Sequence, residues 1–216
     1  MKTALIAGAT GLVGSELLQQ LMKDNEYSQI HVLVRNPIDV KSKKIIVHQI
    51  NFDELESVEI NEKIDHVFCT LGTTIKKAKT KENFRKVDYD YVLALGRKAK
   101  EWNSEKFLMV SSLGANATSA IFYSRVKGEI ENALKELGLP HLFIFRPSLL
   151  MGNRKEQRAG EKTAVAVYKI INPLFVGKLR KYKGIQARQV AMAMLNTAIN
   201  KNESIRIFES DEIQKI

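Results

Sequence analysis

The chain has 216 residues, 34 basic and 24 acidic side chains, a formal charge of +10, and is 44% hydrophobic and 27% charged. That balance excludes a disordered or fibrous chain, and the length predicts one domain, 1–216, whose core needs neither disulfide nor metal. Cys69 is the only cysteine, which excludes an internal disulfide and a cysteine-rich zinc site, and no apolar run reaches the roughly 18 residues of a membrane span. The expected setting is reducing and cytoplasmic.

Residues 4–7 form a short apolar run that ends in glycine, as a buried parallel strand does. The same stretch is too short to be the apolar core of a signal peptide. Leu12, Val13, Leu17, Leu18, Leu21 and Met22 recur at helical spacing and stop near Asp24-Asn25. Strands are predicted at 30–34, 45–50, 65–70, 106–111 and 141–145, with a short helix and turn between 53 and 65. Phe84, Val87, Tyr91, Leu95 and Ala99 mark a long helix, and Ile130, Leu134 and Leu137 another, closed by Gly138 and Pro140. Strands alternating with amphipathic helices predict an α/β, doubly wound parallel sheet of the Rossmann kind, in strand order 3-2-1-4-5-6. Beyond 145 remain a charged loop at 154–162, helices at 163–171 and 187–199, and a late strand at 205–208. Residues 146–216 are therefore expected to add a small C-terminal substrate-side lobe rather than a second domain.

The first strand runs into Gly8-Ala9-Thr10-Gly11-Leu12-Val13-Gly14 and then a helix. Gly8 permits the tight turn, Gly11 lets the backbone approach a pyrophosphate, and Gly14 lets the helix pack close to the strand. The helix N-terminus offers unpaired N–H groups to the phosphates. Arg35, 21 residues past Gly14, stands at the end of the second strand, where an acid would grip the ribose hydroxyls of NAD. A guanidinium there favours a 2′-phosphate, and a charge-assisted hydrogen bond predicts NADP(H) over NAD(H) by about ten- to a hundredfold.

Tyr123-Ser124-Arg125-Val126-Lys127 is a YxxxK, weak as a pattern and strengthened by its place. It opens the helix after the fifth strand, whose end, Val110-Ser111-Ser112, lies at the carboxyl edge where doubly wound sheets bind ligands. Tyr123 and Lys127 share a helix face. A phenol ionises only near pH 10 in water, and a neighbouring ammonium favours its ionised form, so the pair suits acid–base work. A serine hydroxyl beside it can orient a carbonyl.

These stretches resemble the short-chain dehydrogenase/reductase superfamily in its atypical branch, and more closely the Tat-interacting-protein-like oxidoreductases. The resemblance also rests on Phe68-Cys69-Thr70-Leu71-Gly72-Thr73-Thr74, on Phe84-Arg85-Lys86-Val87-Asp88-Tyr89-Asp90-Tyr91, on Ser111-Ser112-Leu113-Gly114-Ala115 and on Phe145-Arg146-Pro147. It implies NADPH binding, with Tyr123 as acid–base and Lys127 on the nicotinamide ribose. Ser112 is the partner hydroxyl it implies, with adjacent Ser111 a close competitor. It further implies that Leu71 and Gly72 line the cofactor, and Leu150 and Arg158 from the far side. Ser148, where relatives usually carry glycine, departs from the pattern.

The expected activity is NADP(H)-dependent hydride transfer to a small carbonyl substrate. The alternative is a non-catalytic NADPH-binding regulatory or redox-sensing protein, and the resemblance leaves room for a protein partner or a homodimer. Sugar-nucleotide epimerisation on this fold is disfavoured by the short tail. No specific nucleic acid, no membrane and no metal are expected. The basic run Lys76-Lys77-Ala78-Lys79-Thr80-Lys81, continued by Arg85 and Lys86, reads as a solvated loop and helix start, with attraction of an anionic ligand as a smaller role. His31, His48, His66 and His141 and the thiol of Cys69 read as structural, and Asp88 and Asp90 as helix-surface residues.

Overall fold

The fold follows from short apolar runs that need cover on both faces. In the computed structural model, which describes residues 1–152 and 182–216, six such runs form strands β1 (Lys2–Ala7), β2 (Tyr27–Val34), β3 (Ile45–Gln49), β4 (His66–Cys69), β5 (Lys106–Val110) and β6 (His141–Arg146). They pair in the order β3-β2-β1-β4-β5-β6, all parallel, and a seventh strand, β9 (Ile205–Glu209), continues the sheet beside β6. The predicted order therefore holds, and the late strand joins the main sheet.

Successive side chains along β1 serve opposite cores. Ala4 and Ile6 face helices α1 (Leu12–Lys23) and α6 (Ala187–Asn200), where Leu17, Leu21, Val190 and Met194 pack. Leu5 and Ala7 face α4 (Tyr91–Glu101) and α5 (Phe122–Glu136), with Val92, Leu95, Ile130 and Leu134. Both layers are fully buried at their centres, which is what a parallel sheet requires. α6 thus covers the sheet as part of the main domain. Of the residues from 146 onward that the structure describes, a separate two-stranded ladder is formed by β7 (Leu150–Met151) and β8 (Ile185–Gln186). A single turn of helix, α7 (Ser210–Ile213), closes the chain. The loop expected at 154–162, the helix expected at 163–171 and Arg158 lie outside the described residues.

The long helix predicted after β4 is broken into pieces. α2 (Ile75–Ala78) and α3 (Lys81–Arg85) precede a π-helical turn at Lys86–Asp90, which runs directly into α4. A π turn holds one extra residue and marks functional sites often enough to direct attention here.

Two basic side chains are buried in structural roles. Lys106 reaches the carbonyls of Ala198 and Lys201 at 2.9 and 2.7 Å and Asn202 Oδ1 at 2.9 Å, so its ammonium closes the C-terminal end of α6. His66, fully buried, lies 2.7 Å from the Tyr27 hydroxyl through Nδ1. Burial, reinforced by Lys2, holds the His66 pKa down to about 4. The folded protein therefore refuses a proton that the unfolded chain accepts below about pH 6.5, and stability is lost as the pH falls from 6.5 towards 4. At the lower limit this one group costs about 3 kcal/mol. Urea unfolding at pH 7 and pH 4.5 should show a loss that shrinks in His66→Gln, and an equal loss in both proteins would reject the assignment.

Candidate functional site

The glycine turn between β1 and α1 is built by close backbone contact. Gly8 takes φ +90°, and the turn is closed by the Gly11 N–H donating to the Gly8 carbonyl at 2.9 Å. A Cβ on Gly14 would stand 2.2 Å from the Gly8 oxygen and 2.5 Å from Thr70 Oγ1, so only glycine lets α1 start this near the strand. Gly11 caps the helix without a side-chain hydrogen bond, and the first turn of α1 holds no acid. Ala9 and Val13 are buried, Thr10 and Gly11 exposed, and Leu12 is half-buried. The free N–H groups, the exposed glycine and the positive end of a 12-residue helix fit a diphosphate.

Arg35 extends from the end of β2, one strand away. It is exposed, has no ion pair among the described residues, and lines a surface hollow with Gln49, Ile50 and Asn51 at the ends of β2 and β3. Gln49 Nε2 donates to the Arg35 carbonyl at 3.3 Å, which ties the two strand ends together.

On the other side of β1, the chain leaving β4 turns through Thr70, Leu71 and Gly72. Thr70 anchors it, its N–H and hydroxyl both donating to the Ala7 carbonyl, at 2.9 and 3.0 Å. Tyr123 and Lys127 follow on the first turns of α5. Lys127 is 3% exposed, and its ammonium lies 2.7 Å from Asp88 Oδ1 in the π turn. Asp88 is fully buried and accepts the Thr73 N–H at 2.7 Å through its other oxygen. Burial by itself lowers an ammonium pKa, but Asp88 outweighs it and Tyr123 adds to the effect, so Lys127 is held charged above its ordinary range. A Cβ on Gly72 would be 3.4 Å from Asp88 Oδ1 and 3.8 Å from Lys127 Nζ, which puts this buried pair directly beneath the exposed Gly72 backbone. Tyr123 is half-buried, its ring 5.5 Å from that of Phe84 on α3.

Asp88 corrects the surface role expected from the sequence. A signal for it was present: Asp88 falls four residues after Phe84 and four before Val92, on the buried stripe, and an acid in that position must have a partner.

The two serines after β5 are divided by their partners. Ser111 Oγ donates to Glu131 Oε1 at 2.5 Å, and the same buried carboxylate receives Arg146 through Nε and Nη2 at 3.0 and 2.5 Å. Arg146 also holds Glu209 on β9 at 3.1 Å. Ser111 thus belongs to a clasp joining β5, α5, β6 and β9. The Ser112 hydroxyl is shielded from solvent and has no hydrogen-bond partner among the described residues. Such an orphan ordinarily costs about 1–3 kcal/mol, and a bound ligand would relieve it.

The loop after β6 completes the edge. The Ser148 hydroxyl donates to the Lys183 carbonyl and accepts from the Ser210 hydroxyl at 3.0 Å, so the departure from glycine gives this loop two added ties. Leu150 is half-buried in β7, and a Cβ on Gly152 would approach Leu12 Cδ1 to 2.9 Å, which brings this strand against the start of α1. Burial pushes the Cys69 thiol up to about 12, which suits packing rather than nucleophilic chemistry. His31 Nδ1 lies 2.8 Å from His48 Nε2, and His141 Nδ1 3.0 Å from the Glu203 carbonyl oxygen.

Residues 28–182 match the family described as HIM1. The mitochondrial protein FMP52 of Debaryomyces hansenii is 37% identical over 158 residues, 72% of this chain and 70% of its own length. The rat protein HTATIP2 is 34% identical over 164 residues, 74% of this chain and 67% of that protein. Among solved structures, the Bordetella bronchiseptica enzyme WbmH in complex with NAD+ superposes with a TM-score of 0.72 at 14% identity, covering all of this chain and 78% of the other. The shared fold is the Rossmann-like one expected. The cytoplasmic expectation is overturned, because FMP52 relatives from this and other yeasts are named mitochondrial. A lone cysteine and the lack of a long apolar run bear on redox state and membrane crossing, and neither separates one reducing compartment from another.

Proposed function

The chain belongs to the HIM1 family and is an atypical member of the short-chain dehydrogenase/reductase superfamily, and from this we propose that it is an NADP(H)-dependent oxidoreductase acting on a small carbonyl compound. The observation that carries the reading is the buried Lys127–Asp88 pair one helical turn from Tyr123, facing the Gly72 backbone. An ion pair taken out of water costs several kcal/mol in desolvation, and packing alone gives no reason to keep one at a ligand-binding edge.

In this reading the turn Gly8 to Gly14 holds the diphosphate, Arg35 the 2′-phosphate, and Leu71, Gly72 and Leu150 line the nicotinamide half. Lys127 holds the nicotinamide ribose. NADPH supplies the hydride for the carbonyl carbon when bound. Tyr123 gives its hydroxyl proton to the carbonyl oxygen as negative charge develops there, and the Lys127 ammonium stabilises the phenolate that remains. Ser112, whose hydroxyl lacks a partner among the described residues, orients the same oxygen, while Ser111 is spent on Glu131.

Fluorescence titration with NADPH and NADH tests the cofactor half. NADPH should bind about ten- to a hundredfold more tightly, and Arg35→Ala should remove that preference while leaving NADH unchanged. Equal affinities in the wild type would take the 2′-phosphate role from Arg35. Consumption of NADPH against a panel of aldehydes and ketones tests the chemistry, and tight NADPH binding with no turnover by any of them would overturn the enzymatic reading.

A further inference from the structure

Resting on the reading above, we propose that the carbonyl substrate is an anion, a compound bearing a carboxylate or phosphate, drawn to Tyr123 by the basic segment between β4 and the π turn. Residues 75–86 carry six basic side chains against the single acid Glu82. That net +5 is half the charge of the whole protein in 12 residues. Arg85 is paired with Glu129 and Lys86 with Asp53. Lys76, Lys79 and Lys81 have no ion pair among the described residues, and all three are exposed.

The segment is placed by topology on the substrate side. Arg35 and the glycine turn, which serve the cofactor phosphates, lie towards β2, whereas this segment leaves β4 on the opposite side of β1. It then packs on the start of α5. Phe84 of α3 meets both Phe122 and Tyr123, with ring centroids 5.7 and 5.5 Å apart, and Lys81 Nζ stands 5.5 Å from the Phe122 ring centre. Lys81 thus stands against the residue that precedes Tyr123 on α5. Lys79, between α2 and α3, adopts φ +69°, a left-handed conformation that glycine or asparagine would take more cheaply. The strained position thus carries a cation within a run already rich in positive charge.

Fixed positive charge beside a cleft raises the local concentration of an anion and its association rate, and salt screens the effect. The test compares succinic semialdehyde with butanal, its neutral match in chain length. In the wild type at low salt, the ratio of kcat/KM values should favour the anion about tenfold or more. It should fall several-fold in added salt, and to a similar degree in the variant Lys76→Gln/Lys79→Gln/Lys81→Gln. A ratio near one, or one the variant leaves unchanged, overturns the proposal. So does an equal loss of NADPH affinity, which would give the lysines to the cofactor, or a variant defect confined to binding phosphatidylserine vesicles. Calorimetric titration of both aldehydes into NADPH-loaded protein separates this proposal from the one beneath it. Preferential binding of the anion without turnover sustains the charge preference and rejects the reductase, and turnover of both compounds without preference does the reverse.

Discussion

Tyr123→Phe should lower kcat/KM for NADPH-dependent carbonyl reduction by about 10²–10⁴-fold, the range expected when a positioned acid–base is removed. The variant keeps the ring that packs 5.5 Å from Phe84 and loses only the hydroxyl. The half-buried position of Tyr123, at the start of α5 and away from both cores, makes a folding defect an unsuitable explanation for any loss. NADPH affinity should stay within about twofold, since the residues proposed for the diphosphate and the 2′-phosphate lie on other elements. Steady-state kinetics beside fluorescence titration read both quantities, and full turnover in the variant would exclude Tyr123 as the proton donor.

Asp88→Asn should be the most damaging conservative change in stability. It keeps an acceptor for the Thr73 N–H but leaves the Lys127 ammonium buried without its counter-charge. Breaking a buried pair by removing one partner costs about 3–5 kcal/mol, equivalent for a chain of this size to a fall in Tm of roughly 10–15 °C. With Asp88 gone its raising effect is lost, burial is opposed mainly by Tyr123, and the pKa of Lys127 falls. The residual activity should therefore decline at a lower pH than in the wild type. Calorimetry and a pH–rate profile together distinguish this from simple loosening, in which Tm would fall and the profile would stay where it was. The reciprocal variant Lys127→Met leaves the Asp88 carboxylate buried without its cation and should lower Tm by a similar amount.

The sheet was legible because each strand is a run of apolar residues interrupted by helical periodicity, and that pattern needs no tertiary information. The glycine turn was legible for a related reason: three glycines between a strand and a helix answer a steric demand, as the 2.2 Å approach at Gly14 shows. Asp88 was misread because Val87 and Tyr91 also lie four apart and suggest a different stripe. The extra residue in the π turn is invisible to a fixed 3.6-residue period, and the charged partner is 39 positions away on another helix. Ser111 and Ser112 could not be separated because the choice is made by Glu131 and Arg146, which the sequence places on two other elements. The tail was legible only as a small lobe over the sheet, since nothing local in 187–209 says that Ala-rich α6 packs on α1 or that β9 pairs with β6.

The tie between Ser148 and the Lys183 carbonyl, together with the pairing of Leu150 with Ile185, brings two points far apart in sequence to one place on the rim. Two hydrogen-bonded ties spanning some 35 positions therefore lock this corner of the rim by main-chain pairing, apart from the apolar layers that hold the sheet.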